Sequence, residues 1–187
     1  MSLKIEKTTL PGVLLIDPVI FRDSRGFFME TFHKGKYEEV GIDQDFVQDN
    51  YSRSCQGTLR GLHYQLQHPQ AKLIYVIRGE IFDVAVDIRY GSPTFGKWAG
   101  FSLSSENRRQ VFIPEGFAHG FCVVSETADV LYKCTDVYHP DDEYGIFWSD
   151  QKMGIGWPVT EPTVSDKDKQ YPRLREVPAA HLPVFTS

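Results

Sequence analysis

Residues 57–79 read GTLRGLHYQLQHPQAKLIYVIRG. One histidine, His63, stands in a short extended run between Arg60 and Lys72, and Gly57 and Gly79 close the stretch at either end. From these residues alone its role is open: a metal ligand, a proton-transfer base, or a buried histidine with its hydrogen bonds satisfied. The chain around it reads as strand. KLIYVIRGEIFDVAVDI (72–88) breaks at Arg78-Gly79-Glu80, a turn signal between two extended runs. After the break, Phe82, Val84, Val86 and Ile88 alternate with Ile81, Asp83, Ala85 and Asp87, the period of two expected of a half-buried strand.

Strand-like runs recur on both sides. GVLLI (12–16), GFFMETFH (26–33), FVQDNYS (46–52) and LRGLHYQ (59–65) come before; KWAGFSLS (97–104), QVFIP (110–114), HGFCVVS (119–125) and DVLYKCTDVY (129–138) follow, with turn signals such as YGSP and PEG between them. In the last run Val130, Tyr132, Cys134, Asp136 and Tyr138 share parity, so a strand that continues to 138 turns both tyrosines to one face. Helical signals are few: GKYEEVG (35–41), and SDKD (165–168), where Ser165 suits the cap of a turn reaching Asp168. Many short strands with few short helices predict an all-β sandwich or barrel. We expect one domain over 1–187, with the proline-punctuated segment from about 160 wrapping it as irregular chain.

Composition narrows the function classes. With 41% hydrophobic and 24% charged residues, the 187-residue chain can bury roughly 70% of its unfolded surface and needs no disulfide or metal to fold. A net charge of −5 argues against a general nucleic-acid binder, so an anionic ligand must be held by a local basic cluster. No apolar run approaches the ~18 residues of a membrane span. Cys55, Cys122 and Cys134 show no CxxC spacing and no secretory leader precedes them, which predicts reduced thiols buried as small hydrophobes in a cytoplasmic protein. The glycosylation pattern Asn50-Tyr51-Ser52 is idle without secretion, and Gly154-Ile155-Gly156 reads as a turn before Trp157-Pro158. His33, His68, His139 and His181 stand outside every motif and are read as structural or surface residues.

The opening stretch resembles the first motif of the cupin superfamily: Gly57, five residues, His63, then Gln65 at the second histidine position, Lys72 near the glutamate position, and Gly79. A second cupin-like motif is PEGFAH (114–119), with Arg108 in place of its leading glycine and Val123 in place of its trailing asparagine. The resemblance implies a cupin-type jelly roll. The departures imply that its metal is gone, because two imidazoles remain while an amide and an ammonium replace the other ligands, and an ammonium offers no lone pair.

The resemblance then narrows. DSRGFFMETFH (23–33), FVQDNYSRS (46–54), GTLRGLHYQ (57–65), IPEGFAHGF (113–121), YKCTDVYHPDDEYGI (132–146) and SDKD (165–168) together are similar to the pattern of the dTDP-4-dehydrorhamnose 3,5-epimerase family over nearly the whole chain. The likeness implies His63 as general base, Asp168 orienting its imidazole, Lys72 stabilising the enolate oxygen at C4 with His119 beside it, and Tyr132 as acid on the opposite face. It further implies Arg60 on the pyrophosphate, Tyr138 stacked on thymine, and Arg25, Glu30, Gln48 and Asn50 on the nucleotide with Glu143 and Lys167 near it. It implies a homodimer, with Arg25 and Glu30 acting across its interface, and no cofactor, nucleic acid or membrane partner.

Elementary chemistry suits these roles. Epimerisation takes a proton from one face of a carbon and returns one to the other, so it needs two groups on opposite sides. An imidazole with an ordinary pKa of about 6.5 accepts a proton at neutral pH, and a phenol near 10 donates one. Carbons 3 and 5 both flank the C4 ketone, so one fixed cation serves either enolate. A C5-only epimerase, a 3,4-ketoisomerase, a metal-dependent cupin and a sugar-nucleotide-binding cupin without turnover are the alternatives.

Overall fold

The computed structural model describes residues 3–186, and fourteen strands carry the fold among them. In chain order these are β1 (Lys4–Lys7), β2 (Leu14–Asp17), β3 (Ile20–Asp23), β4 (Gly26–Met29), β5 (Gln48–Cys55), β6 (Thr58–Gln65), β7 (Lys72–Arg78), β8 (Glu80–Asp87), β9 (Trp98–Ser104), β10 (Gln110–Ile113), β11 (Phe117–Val123), β12 (Thr127–Cys134), β13 (Glu143–Gly145) and β14 (Thr163–Val164). One sheet has the order β1-β2-β10-β7-β12-β5; the other runs β13-β6-β11-β8-β9, with β14 added in parallel to β6. The two form a jelly-roll sandwich, and β3 and β4 make a separate hairpin. A short helix, α1 (Lys34–Glu38), matches the helical signal at 35–41. No helix among the described residues is long and apolar enough to cross a membrane.

Side-chain parity assigns the two faces of each sheet. Ile74 and Val76 of β7 and Ala128 and Val130 of β12 meet Ile81, Ala85, Leu103 and Phe121 of the opposite sheet in the central core. The turn at Arg78-Gly79-Glu80 falls where the sequence places it, between β7 and β8. Strand β8, however, is not half-buried. Val84 and Val86 pack outward against Ile146, Met153, Leu174 and Leu182, so its alternation separates two cores rather than core from solvent. The outer face of the first sheet is closed in the same way by Tyr37, Ile42 and neighbours over Ile16, Leu73 and Phe112.

Three other expectations need correction. The run 26–33 is strand only to Met29. Strand β12 ends at Cys134, so Tyr138 lies in the following loop and not on a continued strand. Cys55 is exposed, whereas Cys122 and Cys134 are buried. After residue 160 the chain makes β14 and three 3-10 turns, at Asp168–Gln170, Leu174–Glu176 and Ala179–His181. The first is anchored as its sequence suggests: the backbone N–H of Asp168 donates to Ser165 Oγ at 3.1 Å.

At one end of the sandwich the inward positions change from apolar to polar. Lys72 shares the parity of Ile74 and Val76, Tyr132 that of Val130, and Asp83 that of Ile81 and Ala85. His63 and His119 pair directly across β6 and β11. These two strands close tightly just beyond, where a Cβ on Gly61 would lie 2.6 Å from Gly120 Cα; Gly61 also has φ +116°, which only glycine adopts without strain.

Candidate active site

The polar end of the sandwich opens into a cavity of about 590 Å³ lined by Arg60, His63, Lys72, His119, Tyr132, Lys167 and Asp168, among others. An adjoining pocket of about 280 Å³ shares His63, Lys72 and Tyr132 and adds Gln48, Asn50, Tyr138 and Glu143. One wall belongs to the second sheet, through His63 on β6 and His119 on β11. The facing wall belongs to the first, through Lys72 on β7, Tyr132 on β12, and Gln48 and Asn50 on β5.

His63 Nε2 lies 2.8 Å from Asp168 Oδ1, and Asp168 Oδ2 accepts the Gly61 backbone N–H at 3.1 Å. Asp168 is buried, and burial alone would raise its pKa; the hydrogen bonds from His63, Gly61 and Ser165 outweigh that and hold its carboxyl below the ordinary value. As an anion it accepts from Nε2–H, which leaves Nδ1 as the basic nitrogen of His63. Lys72 is half-buried against the cavity. Crowding by protein lowers its pKa, opposed by nearby Cys134, Asp83 and Glu143. Its ammonium has no hydrogen-bond or ion-pair acceptor among the described residues, so its donors remain for a ligand. Tyr132 is shifted the other way: burial raises its pKa, with Cys134 adding and Arg60 opposing, so the phenol stays protonated at neutral pH.

The rim is one network. Tyr138, exposed, donates its hydroxyl to Glu143 Oε2 at 2.5 Å and its backbone N–H to Gln48 Oε1 at 2.8 Å. Gln48 Nε2 donates to Asn50 Oδ1 at 3.0 Å, and Lys167 Nζ to Glu143 Oε2 at 2.7 Å. Glu143 Oε1 stands 4.0 Å from His63 Nδ1. The Tyr138–Glu143 bond holds the Tyr138 phenol up at about 12, ahead of burial. Arg60 donates Nε to Ser54 Oγ at 3.1 Å and lines the cavity.

Arg25 and Glu30 are not brought to this cavity. Arg25 sits on the β3–β4 hairpin bound to Asp23 (Nη2–Oδ2 2.6 Å), and Glu30 pairs with Lys36. Each imidazole bonds a carboxylate through Nε2, His63 to Asp168 and His119 to Asp83, and the Lys72 ammonium lines the same cavity, a fixed positive charge that would repel a divalent cation.

The sequence profile of the dTDP-4-dehydrorhamnose 3,5-epimerases matches residues 7–176. The chain belongs to the dTDP-4-dehydrorhamnose 3,5-epimerase family. A member from Methanothermobacter thermautotrophicus is 53% identical over 92% of this chain and 95% of its own. One from Neisseria gonorrhoeae is 58% identical over 86% of this chain, which spans 49% of that longer relative. The crystal structure of a Legionella pneumophila dTDP-6-deoxy-D-glucose-3,5-epimerase in complex with dTDP-4-keto-L-rhamnose superposes with a TM-score of 0.97 at 51% identity, covering 99% of this chain and 100% of that one.

Within this epimerase scaffold two residues at the site escape a reading of the sequence. Asp83 is wholly buried, with Oδ2 at 2.8 Å from His119 Nε2 and Oδ1 unpartnered. Its signal was present, as a carboxylate at the inward parity of Ile81 and Ala85. Tyr171 packs edge-on to His63, ring centroids 5.8 Å apart, in space left by the missing side chain of Gly145. Nothing in the local sequence marks that contact.

Proposed function

We propose that this chain converts dTDP-4-dehydro-6-deoxyglucose into dTDP-4-dehydro-L-rhamnose by moving protons at C3 and C5. The observation that supports the reading is that His63 and Tyr132 stand on opposite sheets and line one cavity. His63 Nδ1, oriented through Nε2 by Asp168, takes the proton from the carbon beside the C4 ketone. Lys72, with no acceptor among the described residues, stabilises the oxyanion that forms on C4, and His119, fixed by Asp83, lines the cavity from the facing wall. Tyr132, across the cavity from His63, returns a proton to the other face. Arg60 takes the pyrophosphate, while Tyr138, Gln48, Asn50, Glu143 and Lys167 form the nucleotide rim.

The reading includes a homodimer. Phe21, Phe27 and Phe28 of the β3–β4 hairpin are 48%, 53% and 65% exposed, an apolar surface that a second copy would cover. Arg25 and Glu30 on and beside that hairpin would then complete the partner's site. Three free thiols fit a cytoplasmic enzyme.

The test is turnover in deuterium oxide. Label is expected at both C3 and C5 of the product, and His63→Ala is expected to abolish incorporation. Label at neither carbon, or undiminished incorporation by His63→Ala, overturns the mechanism; label at C5 alone assigns the mono-epimerase reaction.

A further inference from the structure

Outside the cavity, three titratable side chains converge that the reaction does not use. His68 lies in the loop between β6 and β7; Asp136 and His139 lie in the loop after β12. Their ligand atoms all fall within 4.8 Å of one another. The two imidazoles stack, centroids 3.7 Å apart and planes at 14°. Asp136 reaches both rings from beside the stack, with Oδ2 at 3.6 Å from His68 Nδ1 and Oδ1 at 4.0 Å from His139 Nε2. Ion pairs this long and this exposed contribute little to stability.

The backbone beneath them is fixed more firmly than a surface loop requires. Gln65 Nε2 donates to the His68 carbonyl at 2.6 Å, and Gln65 Oε1 accepts the His139 N–H at 2.9 Å. Asp142 accepts the His68 N–H at 2.8 Å. Both histidines precede a proline, Pro69 and Pro140, which restricts them to extended backbone; His139 has φ −112° and ψ 103°. The roots of two imidazoles are thus locked in register while their rings remain at the solvent edge.

We propose that His68, Asp136 and His139 form a binding site for a divalent transition-metal ion of the zinc class, which ties the β6–β7 loop to the loop carrying Tyr138. Two imidazole nitrogens and a carboxylate are zinc donors at about 2.0–2.2 Å, with water completing the shell. The set favours zinc, nickel or copper over magnesium and calcium, which prefer all-oxygen shells. Each ring must place its lone pair in its own plane, so the parallel stack opens by side-chain rotation as the ion enters, without backbone movement. The ion acts as a clamp; it lies outside the cavity and takes no part in proton transfer.

The test is zinc titration of metal-free protein by calorimetry, with cobalt absorption as a second readout, in a Cys55→Ser background that removes the exposed thiol. About one equivalent is expected to bind at micromolar zinc and to raise the melting temperature, with cobalt giving ligand-field bands. His68→Ala and His139→Ala are each expected to weaken binding by roughly tenfold or more, and the double variant to lose the cobalt bands. Retained epimerase activity shows that the variants are folded. No binding at micromolar zinc, or a double variant weakened less than tenfold, overturns the site.

Discussion

Lys72 concentrates the conflict between stability and function in one side chain. Protein crowding lowers its pKa, so the ammonium is lost at a pH below the ordinary lysine value of about 10.4. Tyr132 is raised, so its phenol outlasts that loss. If both act protonated, the alkaline limb of kcat/KM belongs to Lys72. It is expected below the ordinary lysine range and to move upward in Lys72→Arg, whose guanidinium does not titrate there; a limb unmoved in that variant refutes the assignment. The stability effect has a definite sign. A cation whose folded pKa lies under its unfolded one binds fewer protons in the native state, so stability rises with pH between the two values. Below that window the buried charge is a constant cost. Lys72→Met is therefore expected to be inactive yet more stable at pH 7 by roughly 1 kcal/mol, measured by thermal or urea unfolding.

Asp168 acts at the same scale through a different mechanism. Its carboxyl is held low and stays charged across the neutral range, which fixes Nε2–H and frees Nδ1. Asp168→Asn preserves shape but removes the charge that selects this tautomer. We expect kcat to fall by roughly 10²–10⁴-fold with little change in KM, as measured by steady-state kinetics. The partnership spans 105 positions in sequence, so no local pattern reveals it; only the combined motifs place SDKD beside His63.

At the scale of elements, the strands were readable because alternation and turn residues are local signals. The break at Arg78-Gly79-Glu80 and the inward parity of Lys72 with Ile74 and Val76 both follow from period two. What covers a strand's second face is not local. Met153, Leu174 and Leu182 come from irregular chain without periodicity, and so β8 looked half-exposed when it is buried on both sides. Tyr138 shows the opposite case: strand parity gave a false reason for its position, and the loop after Cys134 still delivers it to the rim. The β6–β11 contact beneath the imidazoles is a tightly constrained element junction. Gly61→Ala would set a Cβ against Gly120 Cα and the His119 carbonyl while keeping φ at +116°. A loss of roughly 2–3 kcal/mol in unfolding free energy is expected, with a fall in activity as His63 and His119 are displaced. Wild-type stability in this variant would show that the strands can separate without cost.

At the scale of the whole molecule, the sandwich supplies what epimerisation demands. Two sheets present two chemically different walls, and in the proposed reaction a hexose ring held between them would meet His63 on one face and Tyr132 on the other. A single chain leaves two of the expected contacts unused, since among the described residues Arg25 and Glu30 pair with Asp23 and Lys36 and not with the cavity. If they serve a partner's cavity, each site draws His63 from one chain and Arg25 from the other. His63→Ala and Arg25→Ala homodimers then have no intact site. A heterodimer of the two has one, built from the wild-type His63 of one chain and the wild-type Arg25 of the other. Random reassortment makes half the dimers mixed, so mixing the two weakly active proteins after reversible dissociation should restore about a quarter of wild-type activity. If instead both residues served their own chain, every site would carry one lesion and mixing would restore nothing.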